Sequence, residues 1–459
     1  MDIMSTLQAG FSRVVITPMM GIEMYGYYST REAEGVLDDL EINTIALADG
    51  DTKALLIGVD HCGMTRSIIA KFQENISRIT GVPTDCIYIS ASHAHTGPYL
   101  VDRAGVTDDS QLANIINTNP GEAQKKIQQD YYQFFYHKIA DAAKFAMEDL
   151  KPATMSWGRN QAPGVAFIRR YRMKDGSTKT NPGILNPEIL GPIGEPDEEV
   201  GVVRFTRENA DDIVLVSFGN HPDVIGGCKF SADWPGFTRR TLERAVPGTK
   251  CAFFTGTMGD VNHINVKGSL FPRKGYELSK HIGNVVAGSV LQILDNLKPE
   301  ENATLRAKQR VIHVPSNMPA PEEIAEAHRI NDLHNAGKDD ELKAMGMSGT
   351  ALVAKAARMV RLEHGPAAFD MTLSAVAIGK VALLGIPGQH FACAGLEMKK
   401  IPGWDMILPT SQTNGAEGYF PPMAGYEEGG YESVSSNFKA GVSEQLIAES
   451  AELLNEIAE

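Results

Sequence analysis

Short apolar segments alternate with amphipathic segments along most of the chain. Residues 42–48, 54–60 and 86–92 are runs of apolar and β-branched side chains, which predict buried strands. Between the last two runs, residues 66–80 carry apolar side chains at helical spacing, and Gly81-Val82-Pro83 predicts where that helix ends. A strand, a helix and a second strand in succession form a βαβ unit, which is typical of α/β proteins.

The same alternation continues through the rest of the sequence. Further strands are predicted over residues 14–17, 200–206, 213–219, 251–255, 310–314 and 369–385, and further helices over residues 234–245, 276–297 and 440–457. Residues 320–361, rich in Ala, Glu and His, predict two or three helices inserted on the surface, whereas residues 404–438 show no periodicity. Because the sequence has no internal repeat and no low-complexity linker, we expect one domain over residues 1–459, with a helical insertion at about 320–361.

Composition limits the partners and the location. The 459 residues are 43% hydrophobic and 22% charged, as in an ordinary soluble globular protein. The formal net charge of −14 disfavours nucleic acid as a partner. No apolar run approaches the ~18 residues that span a bilayer, the first residues lack the charge order of a secretion signal, and the five cysteines show no Cys-x-x-Cys spacing. We therefore expect a cytoplasmic enzyme without a membrane partner; whether it forms a homo-oligomer stays open.

The sharpest candidate for chemistry lies in residues 90–98, where His93 and His95 precede Gly97 and Pro98. Two histidines at positions i and i+2 of a strand point to the same side of its sheet. They stand where Gly-Pro ends the strand, which is where α/β proteins place active sites. Two imidazoles on one face form the first half of many zinc or iron sites. The alternative is one hydrogen-bonded structural histidine and one exposed histidine.

Polar side chains also stand in four later loops, most of them at predicted strand ends. They are His221, then Asp260, Asn262 and His263, then Gln389 and His390, and finally Tyr426 and Tyr431 in an acidic, aromatic loop. The small residues at 256–259 would let backbone N–H groups approach a ligand closely. A structural histidine, a hydrogen-bonded turn and plain surface loops are the alternatives. Imidazole, amide and phenol groups in five such loops favour a site built where the loops meet.

Taken in chain order, these segments resemble the catalytic domain of the neutral/alkaline non-lysosomal ceramidase family. The resemblance rests on Ile16-Thr17-Pro18 with the following Tyr25-Gly26-Tyr27, on Gly58-Val59-Asp60, on the Thr-Gly-Val-Pro turn at residues 80–83, and above all on the His-x-His-Thr-Gly-Pro motif at residues 93–98. The order and approximate spacing of the later motifs also match, so the resemblance covers nearly the whole chain. It implies an α/β fold of layered mixed β-sheets flanked by helices, and zinc-dependent hydrolysis of an N-acyl amide.

The resemblance also implies roles for individual residues. The metal ligands of the family fall on His93, His221 and Tyr426, and Gln389 stands where the family has a metal-binding glutamate. His95 matches the histidine that borders the reacting carbonyl, and Arg169 matches the arginine that contacts the substrate. Asn262 takes the place of a family serine, and Phe438 the place of a second tyrosine. The C-terminal domain of long ceramidases and a secretion signal are missing, so we do not expect ceramide to be the substrate.

We therefore expect a cytoplasmic metal-dependent hydrolase of a small amide or ester, with Zn²⁺ as the cofactor and another divalent metal as the alternative. The expected catalytic residues are His95, Arg169, Asn262 and Tyr426. The expected substrate-binding residues are Arg170, Asp260, His263 and Tyr431. The expected metal ligands are His93, His221, Gln389 and Tyr426, with His390, His263 or Asp60 as the alternatives that complete the set, while Asp60, Asp233 or Asp260 would orient ligating imidazoles.

Two other functions stay open on the same scaffold. Replacing Glu by Gln389 and Ser by Asn262 removes groups that amidase chemistry uses, and a fold does not fix a reaction. A metal-assisted lyase or isomerase that acts on a polar metabolite is therefore the first alternative. The second is a non-catalytic binding protein that keeps the pocket. In each case the partner is a small molecule.

Overall fold

Strands and helices interchange along the whole computed structural model, which describes residues 7–102, 121–268, 272–344 and 349–458. The strands are β1 (Gln8–Val15), β2 (Gly35–Val36), β3 (Glu41–Asp49), β4 (Thr52–Val59), β5 (Ile87–Ala91), β6 (Lys151–Gln161), β7 (Phe167–Ile168), β8 (Arg170–Met173), β9 (Thr178–Thr180), β10 (Ile189–Pro192), β11 (Glu199–Arg207), β12 (Asp212–Phe218), β13 (Lys229–Phe230), β14 (Thr249–Thr255), β15 (Val261–Asn262), β16 (Lys298–Pro299), β17 (Leu305–Pro315), β18 (Ala368–Ile378), β19 (Val381–Gly385), β20 (Gln389–His390), β21 (Met406–Thr410) and β22 (Tyr419–Phe420). The α-helices are α1 (Arg66–Thr80), α2 (Glu122–Glu148), α3 (Asp233–Ala245), α4 (Tyr276–Ile293), α5 (Ile324–Asn335), α6 (Asp339–Ala344), α7 (Thr350–Leu362), α8 (Ala392–Met398), α9 (Met423–Glu428), α10 (Tyr431–Ser435) and α11 (Val442–Ala458).

Two mixed sheets form the centre of the described structure. The larger, of nine described strands, runs in the order β14-β12-β11-β6-β1-β3-β4-β5, with β16 added beside β6. Its pairs are antiparallel except for β4 with β5 and β12 with β14, which are parallel. The smaller sheet runs β17-β18-β19-β21, and its last pair is parallel. The predicted βαβ unit is β4, α1 and β5, and it is confirmed.

Alternation along the strands explains how the sheets stack. In β4, Leu55 and Ile57 pack against helices, whereas Ala54 and Leu56 pack against the smaller sheet. In β19, Leu383 faces the larger sheet and Leu384 faces the opposite side. Successive side chains of a strand point to opposite faces, so a strand that is buried on both faces has a continuous apolar run. The apolar runs at 54–60 and 381–385 therefore mark sheet layers covered on both sides.

Helices cover the outer face of each sheet. Helices α1 and α2 pack on β3, β4 and β5, and helices α3 and α4 pack on β11, β12 and β14. Helices α8 and α11 pack on the smaller sheet. The layers are thus helices, larger sheet, smaller sheet and helices, which confirms the predicted α/β class with mixed sheets flanked by helices. Helix α1 begins where the Thr65 side chain accepts a hydrogen bond from the Ile68 N–H and ends at the left-handed Gly81.

Several elements differ from the sequence predictions. The loop at residues 404–438 contains β21, β22, α9 and α10, although it has no periodicity. Helix α2 and strands β6 to β10 were not predicted. The two or three helices predicted over residues 320–361 are α5, α6 and α7, the last of which ends at Leu362, while the single domain over residues 1–459 stays a prediction. Among the described residues, no helix is both long and apolar enough to cross a membrane.

Candidate functional site

The carboxyl ends of strands from both sheets meet at one edge of the layers. The Thr255 hydroxyl at the end of β14 donates to the carbonyl of Ser92, just after β5, at 2.8 Å. The N–H of Ser411, just after β21, donates to the Thr255 carbonyl at 2.8 Å. Loops that follow these strands therefore converge, as they do at the ligand sites of α/β proteins. The prediction of one shared site required these loops to meet, and the structure shows that they do.

His93 and His95 meet, but not because a strand aligns them. Strand β5 ends at Ala91, and both histidines lie in the loop beyond it. The prediction that strand pleating places the imidazoles together is therefore wrong in its mechanism. His93 has a left-handed backbone with φ of 67°, and its N–H bonds to the His61 carbonyl at 2.8 Å. The two Nε2 atoms lie 3.1 Å apart, so a strained backbone, which costs about 1–3 kcal/mol, brings the rings together.

His221 completes a cluster of imidazoles. Its ring centroid lies 4.8 Å from that of His93 and 5.7 Å from that of His95. The Nδ1 of His93 bonds to the Cys62 carbonyl at 2.5 Å, and the Nδ1 of His221 bonds to the Met258 carbonyl at 2.9 Å. Because a carbonyl only accepts hydrogen bonds, each Nδ1 carries the proton and each Nε2 keeps a lone pair. The Nε2 of His221 is buried and has no hydrogen-bond partner among the described residues.

Gln389 supplies an oxygen at the same place. It lies in β20, which pairs in parallel with β22, and its Oε1 is buried without a hydrogen-bond partner among the described residues. Together with His93 and His95 it lines a chamber of about 60 Å³. An unpartnered buried carbonyl oxygen is costly unless something binds it. Gln389 therefore has the environment of a ligand.

The electrostatics keep the imidazoles neutral. Burial is the largest cause that lowers the pKa of His93, His95 and His221, and the pKa of His95 falls to about 3. The nearby Arg169 guanidinium lowers all three further. Neutral imidazoles present lone pairs, as metal ligands must. Imidazole nitrogens with an amide oxygen are donors that zinc and other divalent transition metals accept, so the residues present fit such an ion.

Cys62 is a further neighbour that the sequence analysis did not name. Cys62, His93 and His95 each offer a donor atom within 4.8 Å of the others. The Cys62 Sγ, however, lies 3.7 Å from the Nδ1 of His93, the nitrogen that donates to a carbonyl, and burial raises the pKa of the thiol. The imidazole and amide set is thus the better candidate. Cys62 follows β4, the parallel neighbour of β5, so strand adjacency was the available signal.

A cleft of about 900 Å³ opens next to the chamber. The chamber and the cleft share five lining residues, which are Gly26, Tyr27, Tyr28, His95 and Tyr431. The Tyr27 hydroxyl bonds to the Asp223 carboxylate, whose Oδ1 lies 4.0 Å from the His95 Nδ1. The sequence analysis did not name Tyr27 or Asp223 as site residues. They form a chain of polar groups from the cleft to the imidazole cluster.

Arg169 and Tyr431, both predicted, reach this cleft. The Nε of Arg169 donates to the Glu432 carboxylate at 2.6 Å, and its Nη2 donates to the Gly259 carbonyl at 2.8 Å. Its guanidinium lies over the Tyr419 ring, 5.2 Å from the centroid. The guanidinium is therefore held in place by a buried carboxylate, with one face toward the aromatic wall.

Two predicted residues of this region stand elsewhere. Tyr426 is outside the lining of the chamber and the cleft, and its hydroxyl donates to the Phe438 carbonyl at 2.6 Å. The structure gives no support to Tyr426 as a metal ligand or catalytic group, whereas Tyr431 is one of the tyrosines that line the chamber. Arg170 is also outside both linings, and its Nη2 bonds to the carbonyls of Gly425 and Gly429 near the end of α9. Both side chains thus hold backbone carbonyls in place in the structure. The catalytic and metal-binding role of Tyr426 and the substrate-binding role of Arg170 stay predictions.

The predicted residues at 260–263 also lie outside the chamber and the cleft. The Asp260 Oδ1 accepts a hydrogen bond from the Ala392 N–H at 2.8 Å, where α8 begins. The Asn262 amide donates to the Asn181 side chain at 2.8 Å and accepts from the Ile264 N–H at 3.0 Å. His263 lines a separate cavity of about 190 Å³. Asp260 and Asn262 are absent from the linings of the chamber and the cleft.

The remaining candidates for metal ligands and for groups that orient the imidazoles have other partners or lie outside the chamber lining. Both carboxylate oxygens of Asp60 bond to Arg239, at 2.6 and 2.9 Å, and Asp60 is absent from the chamber lining. Asp233 accepts from the Ser279 hydroxyl at 2.6 Å and does not orient an imidazole of the cluster. His390 is buried beside Ser411, at 3.3 Å, and is absent from the chamber lining.

Comparison with known proteins supports the fold. The structure is similar to that of neutral ceramidase from Pseudomonas aeruginosa, with a TM-score of 0.71 and 15% sequence identity over 99% of this chain and 74% of that chain. A ceramidase structure in complex with C2 gives a TM-score of 0.71 and 16% identity over 99% of this chain and 75% of that chain. No protein-family model and no curated protein matches the sequence. The chain therefore has a neutral ceramidase-like fold, as its motifs predict.

Proposed function

We propose that this chain is a metal-dependent hydrolase of a small amide or ester, with Zn²⁺ as the metal that suits its donors best. The observation that carries the proposal is the pair of buried imidazoles, His93 and His221, whose Nδ1 atoms bond to carbonyls and leave the Nε2 atoms for a metal. Gln389 adds an unpartnered oxygen at the chamber that His93 lines, while His221 lines the adjoining cleft. The neutral ceramidase-like fold supports the proposal, because the family that the sequence resembles implies hydrolysis of an N-acyl amide.

The residues around the cluster would have separate roles in the reaction. A bound zinc ion would polarise the scissile carbonyl and lower the pKa of a water toward about 7. His95 lines both the chamber and the cleft, so its imidazole can take a proton from the attacking water and pass it to the leaving group. Asp223, at 4.0 Å from the His95 Nδ1, would stabilise the imidazolium that forms, and Tyr27 holds the carboxylate in place.

The cleft would bind the rest of the substrate. Its lining is rich in hydroxyl, amide and charged groups, among them Arg169, Lys179, Asn181 and Thr350. These groups can hold the polar atoms of a substrate in place, beside the apolar surface of the tyrosine rings, Pro182 and Ala351. We therefore expect that small polar amides are turned over faster than micellar long-chain ceramide.

A second candidate is a metal-assisted lyase or isomerase that acts on a polar metabolite. It is favoured by the absence of Asp and Glu from the described residues that line the chamber, because many metal-dependent amidases use a carboxylate base there. His95 would then move a proton between two positions of the substrate without adding water. The two functions differ in the product, which NMR of the reaction mixture distinguishes.

The test is elemental analysis combined with His93→Ala. We expect about one equivalent of a transition metal in protein purified without a chelator, and turnover of at least one amide or ester in a panel. His93→Ala is expected to lose the metal and to lower turnover by about 100-fold or more while the circular dichroism spectrum is retained. His93 follows β5 rather than lying within it, so its removal leaves the strand ladders intact.

His364→Ala is the matched control, because the His364 side chain is 89% exposed and lies outside the site. It should retain both metal and turnover. Metal-free protein whose activity is unaffected by a chelator would contradict the proposal. Metal without hydrolysis, accompanied by isomerisation or elimination, would favour the second candidate, and ligand binding without any turnover would favour a binding protein.

A further inference from the structure

Gln412 lies between two segments that supply proposed metal ligands. It follows β21, and its N–H donates to the carbonyl of Gly388 at 3.0 Å, one residue before Gln389. Its own carbonyl accepts a hydrogen bond from the N–H of Ala91 at 3.1 Å, at the end of β5 and two residues before His93. Gln412 also lines the chamber that Gln389 and His93 line. The two backbone bonds therefore fix its position beside the proposed metal ligands.

The backbone of Gln412 has a conformation that a glutamine rarely adopts. Its φ is 52°, which lies in the left-handed region that favours glycine. Such a conformation costs free energy and persists only where the surrounding structure holds it, and it is common at ligand sites. The bonds with Gly388 and Ala91 hold it here. The side chain of Gln412 is thus placed at the chamber in spite of local backbone strain.

The side-chain oxygen of Gln412 lacks a hydrogen-bond donor among the described residues. Gln412 is only 3% exposed, and its Oε1 is buried without a partner there. A Cβ on Gly63 would lie 3.3 Å from this oxygen, so the glycine leaves room beside it. A buried acceptor without a donor is unfavourable, and a ligand that brings an N–H removes this cost. The oxygen therefore has the environment of a group that binds a hydrogen-bond donor of the substrate.

We propose that Gln412 is a specificity-determining residue whose Oε1 accepts a hydrogen bond from the N–H of the substrate amide. The inference rests on the proposed function, and it names the residue that distinguishes an amide from an ester at that site. In a trans amide the N–H points away from the carbonyl oxygen, so a group other than the metal ligands must accept it. An ester or a tertiary amide has no N–H and would leave the buried oxygen of Gln412 unpaired, so the site should disfavour both.

The first test compares para-nitroacetanilide with para-nitrophenyl acetate, which has an ester oxygen in place of the N–H. We measure kcat/KM for each probe with protein purified without a chelator. Gln412→Met has a side chain of similar size without the amide, and it should lower kcat/KM for the anilide by about tenfold or more while that for the ester changes by less than about threefold. Gln412→Glu should keep the wild-type ratio of the two values within about threefold, because a carboxyl group retains an acceptor oxygen.

The second test measures binding, which separates this inference from the proposed function. Calorimetry compares para-nitroacetanilide with N-methyl-para-nitroacetanilide, in which a methyl group replaces the amide hydrogen. We expect the wild type to bind the first probe more tightly, and Gln412→Met to weaken the binding of that probe alone, by about tenfold or more. If this result holds and no nitroaniline is released, the assignment of Gln412 stands and the hydrolase proposal fails.

Gln73→Met is the matched control. Gln73 is also a buried glutamine, but its side-chain amide donates to the Ile87 carbonyl at 2.9 Å and it is absent from the chamber lining. This variant should keep the wild-type preference in both tests. Equal losses for the paired probes in Gln412→Met, no loss for either, or the same loss of preference in Gln412→Glu or Gln73→Met would overturn the inference. Binding of neither anilide by the wild type would overturn it as well.

Discussion

We expect Gln389 to set how tightly the proposed metal is held. An amide oxygen has nearly the reach of a carboxylate oxygen but lacks its negative charge, so it is the weaker ligand for zinc. We expect Gln389→Glu to slow the loss of metal to a chelator by roughly tenfold or more, because the added charge attracts a divalent ion at close range in a buried chamber. Metal loss can be followed with a coloured chelator in excess.

Gln412→Glu is the control for charge alone. Gln412 lines the same chamber, and its Oε1 is also buried without a hydrogen-bond partner among the described residues. If a glutamate at 412 slowed metal loss as much as one at 389, the effect would come from the field in the chamber and not from ligation. Equal rates of loss in wild type and Gln389→Glu would remove Gln389 from the ligand set.

At the scale of single residues, the sequence indicated the members of the cluster better than the reason for their meeting. His93, His95 and Gln389 were named from loops that follow strands, and the structure brings them to one chamber. The left-handed backbone of His93 depends on bonds to a distant loop, which no local pattern indicates. Arg361, in the last turn of α7, also lines this chamber and was missed, because a helix position says nothing about the loop that its side chain will contact.

At the scale of elements, the loop between β1 and β2 supports His95 through a glycine. Gly26 has φ of 110°, and a Cβ there would lie 2.7 Å from the Nδ1 of His95. Gly26→Ala should therefore displace the imidazole and lower turnover by about tenfold or more, in addition to the cost of a strained backbone. Steady-state kinetics and thermal unfolding measured together separate the two effects.

Gly21→Ala is the matched control in the same loop. Gly21 also has a left-handed backbone, with φ of 83°, but a Cβ there would meet no atom within 4 Å. Gly21→Ala should lose about 1 kcal/mol of unfolding free energy and keep its turnover, whereas Gly26→Ala should lose more, because its Cβ also meets the His95 ring, and should lose turnover. A parallel loss of activity in both variants would show that the loop acts through stability alone.

Strands that are buried on both faces were predictable from the sequence. Strands β3, β4 and β19 are covered on both faces, so their apolar runs are continuous and were recognised. Strand β6 buries Ala153, Met155 and Trp157 but leaves Thr154 exposed and Ser156 partly exposed, so its apolar residues form no continuous run. Strands of two residues, such as β20 and β22, depend on pairing across the site and have no pattern of their own.

At the scale of the whole molecule, a buried carboxyl joins the layers beneath the site. The Oδ1 of Asp260 accepts from the Ala392 N–H at the start of α8, and its backbone carbonyl accepts from the Arg169 N–H at 2.9 Å. Asp260 therefore connects the loop after β14 with a helix on the smaller sheet. Burial, as the largest cause, raises the pKa of this carboxyl to about 6.

This raised pKa predicts a pH-dependent stability. Between about pH 4 and 6 the folded chain keeps a proton on Asp260 that the unfolded chain has already released, so the free energy of unfolding falls as the pH rises through this window and is level above it. Asp260→Asn removes the titration, because a neutral amide can still accept from Ala392. Its stability relative to wild type should rise by an amount on the order of 2 kcal/mol from pH 4 to pH 7. Urea unfolding at several pH values gives this difference directly.

Asp405→Asn is the control, for which the change of stability with pH should have the opposite sign. Hydrogen bonding to Lys298 lowers the pKa of that exposed carboxyl, so its contribution to stability is lost as the pH falls. A difference between Asp260→Asn and wild type that stays constant with pH would show that the Asp260 carboxyl titrates alike in the folded and unfolded chains.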